Sequence, residues 1–232
     1  MNPQKIALID FVFQNIKPKA QSFADLGGVW NVDGGYTFYT LDNNEIKSAF
    51  LVDTEITLET YNKARKYNNL TLIESSFAEE AVAKRLGNVD VIFLFDVLLH
   101  QVDPNWDAIL EQYSRVTNCF AVYNQQWTKS EETVRLLDLG VDEYFENVPH
   151  ERNHPKYKAL FEHMYDIHPG YNKIWRDIPD VWQWGITDRD LSQKMENLGF
   201  TSNYYENYGH FEHLNGHLNN FQNHAFVFQK RL

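Results

Sequence analysis

The chain has 232 residues, enough for one domain with a sizeable insertion. Apolar residues make up 43% and charged residues 23%, a globular balance that excludes a disordered chain, and aromatics are high at 15%. A formal net charge of -11 with no long basic run argues against a general nucleic-acid surface and against a polybasic membrane contact.

At the N-terminus no apolar stretch is long enough for a signal peptide, and no run approaches the length of a membrane-spanning helix. Cys119 is the only cysteine, so no intrachain disulfide is possible, and a soluble, cytoplasmic protein is expected. Residues 5–15 form a predicted helix closed by Lys17-Pro18. Ser22–Leu26 is a short strand leading into a glycine loop, and Gly35–Asn43 is helical. A strand at 49–52 ends at Asp53, followed by a helix over 55–67 with Leu58, Tyr61 and Ala64 three apart on one side. A strand at 70–73 and a helix at 78–86 come next. Val91–Phe95, reading VIFLF, is continuously apolar, as a central strand covered on both faces should be. Asp103-Pro104 starts a helix with Asp as N-cap and Pro at the first position; Trp106, Ile109, Leu110, Tyr113 and Val116 carry its period. Residues 119–123 are the fifth strand.

Strand and helix alternate strictly over this half, which implies parallel strands in a doubly wound α/β sheet. Residues 139–186 differ. They hold four of the seven prolines, many aromatics and no strand signal. Short helices are expected there, one near 155–165, forming a cap inserted into a single domain that spans 1–232. A helix resumes at 187–198, with Thr187 and Asp190 as a capping pair, a buried stripe of Leu191, Met195 and Leu198, and Gly199 as the stop. FTSNYYENY and HAFVFQ are two late strands, antiparallel to each other.

The stretch SFADLGGVWNVDGGYTFYTL carries its glycines as two pairs, Gly27-Gly28 and Gly34-Gly35, and not as the compressed GxGxxG of a dinucleotide turn. Asp25 stands before them, at the carboxyl end of a strand, where open α/β sheets bind ligands. A carboxylate there repels a pyrophosphate and suits an ammonium group such as that of S-adenosylmethionine. The carboxylate of the same ligand can take amide hydrogens from the loop or the positive helix end. Asp53 ends the second strand and can accept both ribose hydroxyls, of this ligand or of NAD alike. Ser76 and Phe77 can meet an adenine by hydrogen bond and apolar contact.

Together these residues resemble the class I S-adenosylmethionine-dependent methyltransferase family, over about residues 20–127 and 187–229. The resemblance implies a seven-stranded sheet whose last strand is antiparallel, and S-adenosylmethionine as cofactor. It places Asp25, Gly27 and Gly28 in the first cofactor loop, Asp53 on the ribose and Ser76-Phe77 on the adenine. Asp96 through His100, reading DVLLH, would lie beside the methionine and its methyl group. The loop is wider than the family's usual one, because VWNVD separates the glycine pairs, and Ser76 stands where an acid is common.

Methyl transfer needs alignment of donor and acceptor and exclusion of water, and no metal. An oxygen or a protonated nitrogen acceptor must also lose a proton, for which His100, Tyr123, His150 and His154 are candidates. Asn124 to Trp127, reading NQQW, follow the fifth strand and offer amides to a polar substrate. Trp30 could cover the cofactor or face the substrate. Trp182 and Trp184 alternate, so on an extended stretch only one need reach a substrate pocket. His210, His213 and His217 share a helical spacing, but they join two strands and define no metal set. The expectation is a small-molecule methyltransferase. An NAD-dependent oxidoreductase shares the sheet and Asp53, and a non-catalytic S-adenosylmethionine-binding module shares the fold.

Overall fold

The computed structural model describes residues 1–179, 181–213 and 216–231, and the side chains of 211–217 fall outside that description. The element order begins with α1 (Pro3–Phe11), β1 (Ser22–Leu26), α2 (Gly35–Asn43), β2 (Ser48–Asp53), α3 (Leu58–Ala64), β3 (Leu70–Glu74), α4 (Glu80–Leu86) and β4 (Val91–Phe95). Then come α5 (Trp106–Tyr113), β5 (Cys119–Trp127), β6 (Val134–Arg135), α6 (Val141–Glu146), α7 (Pro155–Glu162), β7 (Trp184–Gly185), α8 (Asp188–Asn197), β8 (Phe200–His213) and β9 (Gly216–Lys230).

Seven strands form one sheet in the order β3-β2-β1-β4-β5-β9-β8. The first five are parallel, and β9 runs antiparallel to both β5 and β8. The expected doubly wound sheet with an antiparallel last strand is therefore the observed one. VIFLF shows how it is covered. Val91, Phe93 and Phe95 enter one core with Leu8 and Ile9 from α1, Val12 directly after it and Tyr36 from α2. Ile92 and Leu94 enter the other, with residues of α4, α5 and α8. Alternate side chains of a strand face opposite ways, so an unbroken apolar run needs both layers.

Several boundaries and faces differ from expectation. The first helix starts at Pro3, with the Asn2 side chain accepting from the Gln4 amide, and ends in a π turn over Val12–Ile16. On α3, which is shorter than the expected 55–67, the side carrying Leu58 and Tyr61 is exposed, Leu58 by 75%. Its buried residue is Thr60, because Thr57 and Thr60 share a hydroxyl contact of 2.9 Å and Thr57 donates to Asp33 in the glycine loop. Asp103 is not an N-cap: it has φ 51 ahead of a cis proline, and Asn105 takes the capping position. β5 does not stop at Tyr123. Asn124 through Trp127 are strand residues paired with β9, buried despite their amides.

The 139–186 region holds α6 and α7, the latter near its predicted place, and also β7, a strand it gave no signal for, which pairs with β6 just ahead of the region. It contributes to a separate core, in which Tyr144, Leu160, Val181 and Trp182 pack with Leu99, Trp127, Leu136 and Phe221. Thr187 caps α8 through the Asp190 amide, and Leu191 and Met195 are buried, with Leu198 only partly so. No helix among the described residues is long and apolar enough to cross a membrane.

Candidate functional site

The order of parallel strands reverses between β1 and β4, so the switch point, where open α/β sheets form their ligand crevice, lies at their carboxyl ends. The 27–34 loop borders it. Gly27, at φ 77, donates its amide hydrogen to the Val52 carbonyl at 2.7 Å, and the Gly34 amide closes the turn onto the Gly28 carbonyl at 3.1 Å. A Cβ on Gly27 would stand 2.7 Å from Val97 and close to Phe77; one on Gly34 would stand 2.8 Å from Leu51. The separated glycine pairs thus serve two different close approaches, at the two ends of one turn.

Three acids converge on this edge. Asp53 holds the loop: its Oδ2 accepts the Val29 amide hydrogen at 2.9 Å and its Oδ1 the Thr54 amide hydrogen at 2.8 Å. Asp25 is only 1% exposed and accepts from the Thr37 hydroxyl at 2.7 Å. Burial pushes its pKa up to about 6; the Thr37 bond draws it down, the Asp53 charge adds to the rise, and the Lys5 charge offsets part of it. Asp96 follows β4 with φ 59, and its amide donates to the Tyr123 carbonyl at 2.8 Å. Its carboxylate pairs with Lys5 and accepts from Gln125 Nε2 at 2.7 Å.

Lys5 is the unforeseen member. It is 7% exposed, on the first turn of α1. Its ammonium lies 5.3 Å from the Tyr36 ring centroid, 5.9 Å from Phe95 and 5.1 Å from Tyr123. Asn2 and Gln4 join it: the Tyr36 hydroxyl accepts from the Asn2 amide at 2.8 Å, and the Tyr123 hydroxyl donates to the Gln4 side chain. Gln125 continues the polar chain to Asn223 on β9 at 3.3 Å. A sequence signal for Lys5 exists, since residues 5, 8, 9 and 12 share the inward face of the first helix and only the first of them is charged.

The other candidates are distributed as follows. Phe77 is buried beside Gly27, and its carbonyl accepts from the Tyr113 hydroxyl at 2.7 Å; Ser76 Oγ accepts from the Ala78 amide at 3.2 Å. His100 lies in the turn after β4, its ring 5.9 Å from Trp182 and edge-on to it, with Nδ1 3.5 Å from the Val181 carbonyl. Burial holds the Tyr123 hydroxyl above the usual phenol range. His150 stacks on Tyr157 at 4.5 Å, beside α7 and not in the acid cluster. His154 is the N-cap of α7.

Trp30 is 81% exposed. Trp127 donates to Ser130 at 2.8 Å and presses its ring on Gly185, while Trp182 meets Phe221 edge-on at 5.4 Å. Trp184 donates to the Gln101 carbonyl at 2.6 Å. All three tryptophans have packing partners within and around the inserted region. Asn124 is fully buried, its side-chain amide on the Gln125 carbonyl at 2.9 Å. The side chains of His213 and His217 lie outside the described residues, and no set of three His, Cys, Asp or Glu positioned to hold a metal occurs among the described ones.

No model of a protein family matches the chain, and no curated protein matches it. Solved structures do. The N-terminal domain of EvdMO1, determined in the presence of S-adenosylhomocysteine and D-fucose, superimposes with TM-score 0.61 at 15% identity, over 98% of this chain and 82% of that one. The 1,6-didemethyltoxoflavin-N1-methyltransferase of Burkholderia thailandensis, with 1,6-didemethyltoxoflavin and S-adenosylhomocysteine bound, gives 0.60 at 10% identity, over 97% and 77%. The magnesium protoporphyrin IX methyltransferase of Synechocystis PCC 6803, with S-adenosylhomocysteine, gives 0.59 at 10%, over 99% and 83%. At these identities the likeness is one of architecture, and the chain has the fold of the class I S-adenosylmethionine-dependent methyltransferases.

Proposed function

We propose that the protein is an S-adenosylmethionine-dependent methyltransferase acting on a small-molecule acceptor. The observation that carries this reading is the juxtaposition at one sheet edge of Asp53, bonded to the glycine turn, with the buried Asp25 and with Phe77 against Gly27. The residues fit the cofactor by their chemistry. Asp53 remains partly exposed, and its carboxylate can accept ribose hydroxyls. Phe77 offers an apolar surface to an adenine. Three acids favour a ligand with net positive charge and oppose a pyrophosphate, which speaks against NAD. The cofactor, once bound, supplies a methyl group on a sulfonium sulfur, open to in-line displacement.

The chain's own part is to hold, orient and dry the reactants. The inserted region lines the acceptor pocket in this reading. Its bonds to the turn after β4 include one from the Gln183 amide to the Leu99 carbonyl at 3.1 Å and one from Trp184 to the Gln101 carbonyl. His100 sits in that turn between the sheet edge and Trp182, and is the residue we assign to take an acceptor proton. Tyr123 keeps its proton at neutral pH and serves as a donor. An enclosed acceptor and a net charge of -11 favour a small molecule over a nucleic acid.

Titration calorimetry with S-adenosylhomocysteine, S-adenosylmethionine and NAD tests the reading. Binding of the first two and not of NAD is expected; NAD binding with no response to the others rejects it. Transfer of labelled methyl to a panel of small hydroxyl and amine compounds separates an enzyme from a binding-only module.

A further inference from the structure

Lys5 is a buried ammonium with an incomplete set of partners. It carries three N–H donors, and its hydrogen bond among the described residues goes to Asp96. A buried charge is costly unless its hydrogen bonds are made. Next to it stands a second under-used donor. The Tyr36 hydroxyl is buried and accepts from Asn2, yet its own proton has no acceptor among the described residues. Lys5 stands near the acids of the crevice, Asp96 by direct contact and Asp25 within range of its charge, and Tyr36 stands beside Lys5. The edge therefore presents acceptors that want a cation beside donors that want an anion. A zwitterionic amino-acid group satisfies both.

Resting on the cofactor reading above, we propose that Lys5, with Tyr36, is the anchor for the carboxylate of the cofactor's methionine moiety. Lys5 bridges that carboxylate and Asp96, while the ammonium of the same moiety faces the acids. This makes Lys5 a specificity-determining residue: the site requires an amino-acid tail and discriminates against the decarboxylated form of the same nucleoside. It also gives α1 a function, since Leu8, Ile9 and Val12 fix the helix on the sheet and so fix where Lys5 stands.

The test is calorimetric binding of S-adenosylhomocysteine and of its decarboxylated analogue to the wild type and to Lys5→Met and Tyr36→Phe. Losing a charge-assisted hydrogen bond predicts a fall of at least about tenfold. The wild type should bind the analogue that much more weakly. Lys5→Met should weaken S-adenosylhomocysteine to a similar degree and change the analogue less than about twofold, the signature of a direct coupling. Tyr36→Phe should show the same pattern, smaller. Equal affinity of the wild type for the two ligands overturns the proposal without any variant, and so does an equal loss for both ligands in Lys5→Met. If Lys5→Met does not fold, the wild-type comparison decides, with Lys5→Arg expected to retain the preference for the carboxylate. A wild type that binds neither ligand rejects the cofactor reading itself, an outcome distinct from binding without discrimination.

Discussion

Asp25 and Gly28 compete for the same space: the Asp25 carboxylate lies where a side chain on residue 28 would begin. Neither can yield easily. The acid is enclosed and tethered by Thr37, and residue 28 is held within a turn closed by Gly34.

Gly28→Ala should therefore lower stability by about 1–3 kcal/mol, as overpacking does. Urea denaturation measures it. The double variant with Asp25→Ala should lose less than the sum of the single losses, because the clash disappears with the carboxylate. Wild-type stability in Gly28→Ala would show that the acid moves freely.

The raised pKa of Asp25 has a definite sign. Its ordinary value is 3.8 and its folded value about 6, so the proton is held more tightly in the folded state. Below the ordinary value both states are protonated and the stabilisation is complete. It is lost as pH rises through the folded value, because ionisation then disfavours the fold. A shift of about two units corresponds to about 3 kcal/mol. Asp25→Asn should thus be more stable than wild type at pH 7 by up to about that amount, with the difference shrinking toward pH 4. A stability difference that stays flat between these limits contradicts the buried, proton-holding acid.

Asp53→Ala removes the acceptor for the Val29 and Thr54 amides together with the proposed ribose contact. Affinity for S-adenosylhomocysteine should fall roughly tenfold or more. Adenosine should weaken in parallel, because it keeps the ribose. Calorimetry on both ligands checks this, and unchanged affinities in a folded variant would remove Asp53 from the site.

Trp182 packs against Phe221 and His100 inside the core to which the inserted region contributes. Truncation to Ala should cost about 3–5 kcal/mol, as for other buried aromatics. Trp184→Phe should cost about 1–3 kcal/mol by leaving the Gln101 carbonyl without its donor. Thermal and chemical denaturation compare the two, and neither change should alter cofactor affinity.

The sheet was legible because its strands obey simple periodicities. Val91–Phe95 and Ser22–Leu26 stand where their apolar runs place them, and the Thr187 cap follows from its own side chain. The end of β5 was not, because NQQ has no apolar signature. Those amides are buried by long-range pairing with β9, which no local pattern announces. The exposed apolar side of α3 has a related cause. A seven-residue helix makes so little contact that two threonine hydroxyls and Asp33 orient it against its own apolar residues. At the site, Asp25, Asp53 and Asp96 could be placed from their positions at strand ends. Lys5 lies 91 residues from Asp96, and only folding brings them into contact.

Cys119 opens β5 in the middle of the sheet, fully buried, and burial pushes its thiol up to about 12. At neutral pH it is neither ionised nor reachable, so a thiol reagent should leave the native protein untouched. Its neighbours pair on both sides, with β4 and with β9, so the sulfur is uncovered only when the centre of the sheet parts. The chain thus carries an internal clock for its rarest event. Under conditions where reclosing outpaces modification, the rate at which this one thiol is alkylated reports what fraction of the time the central strands stand open, and a ligand that binds at their carboxyl ends should slow it in proportion to its occupancy.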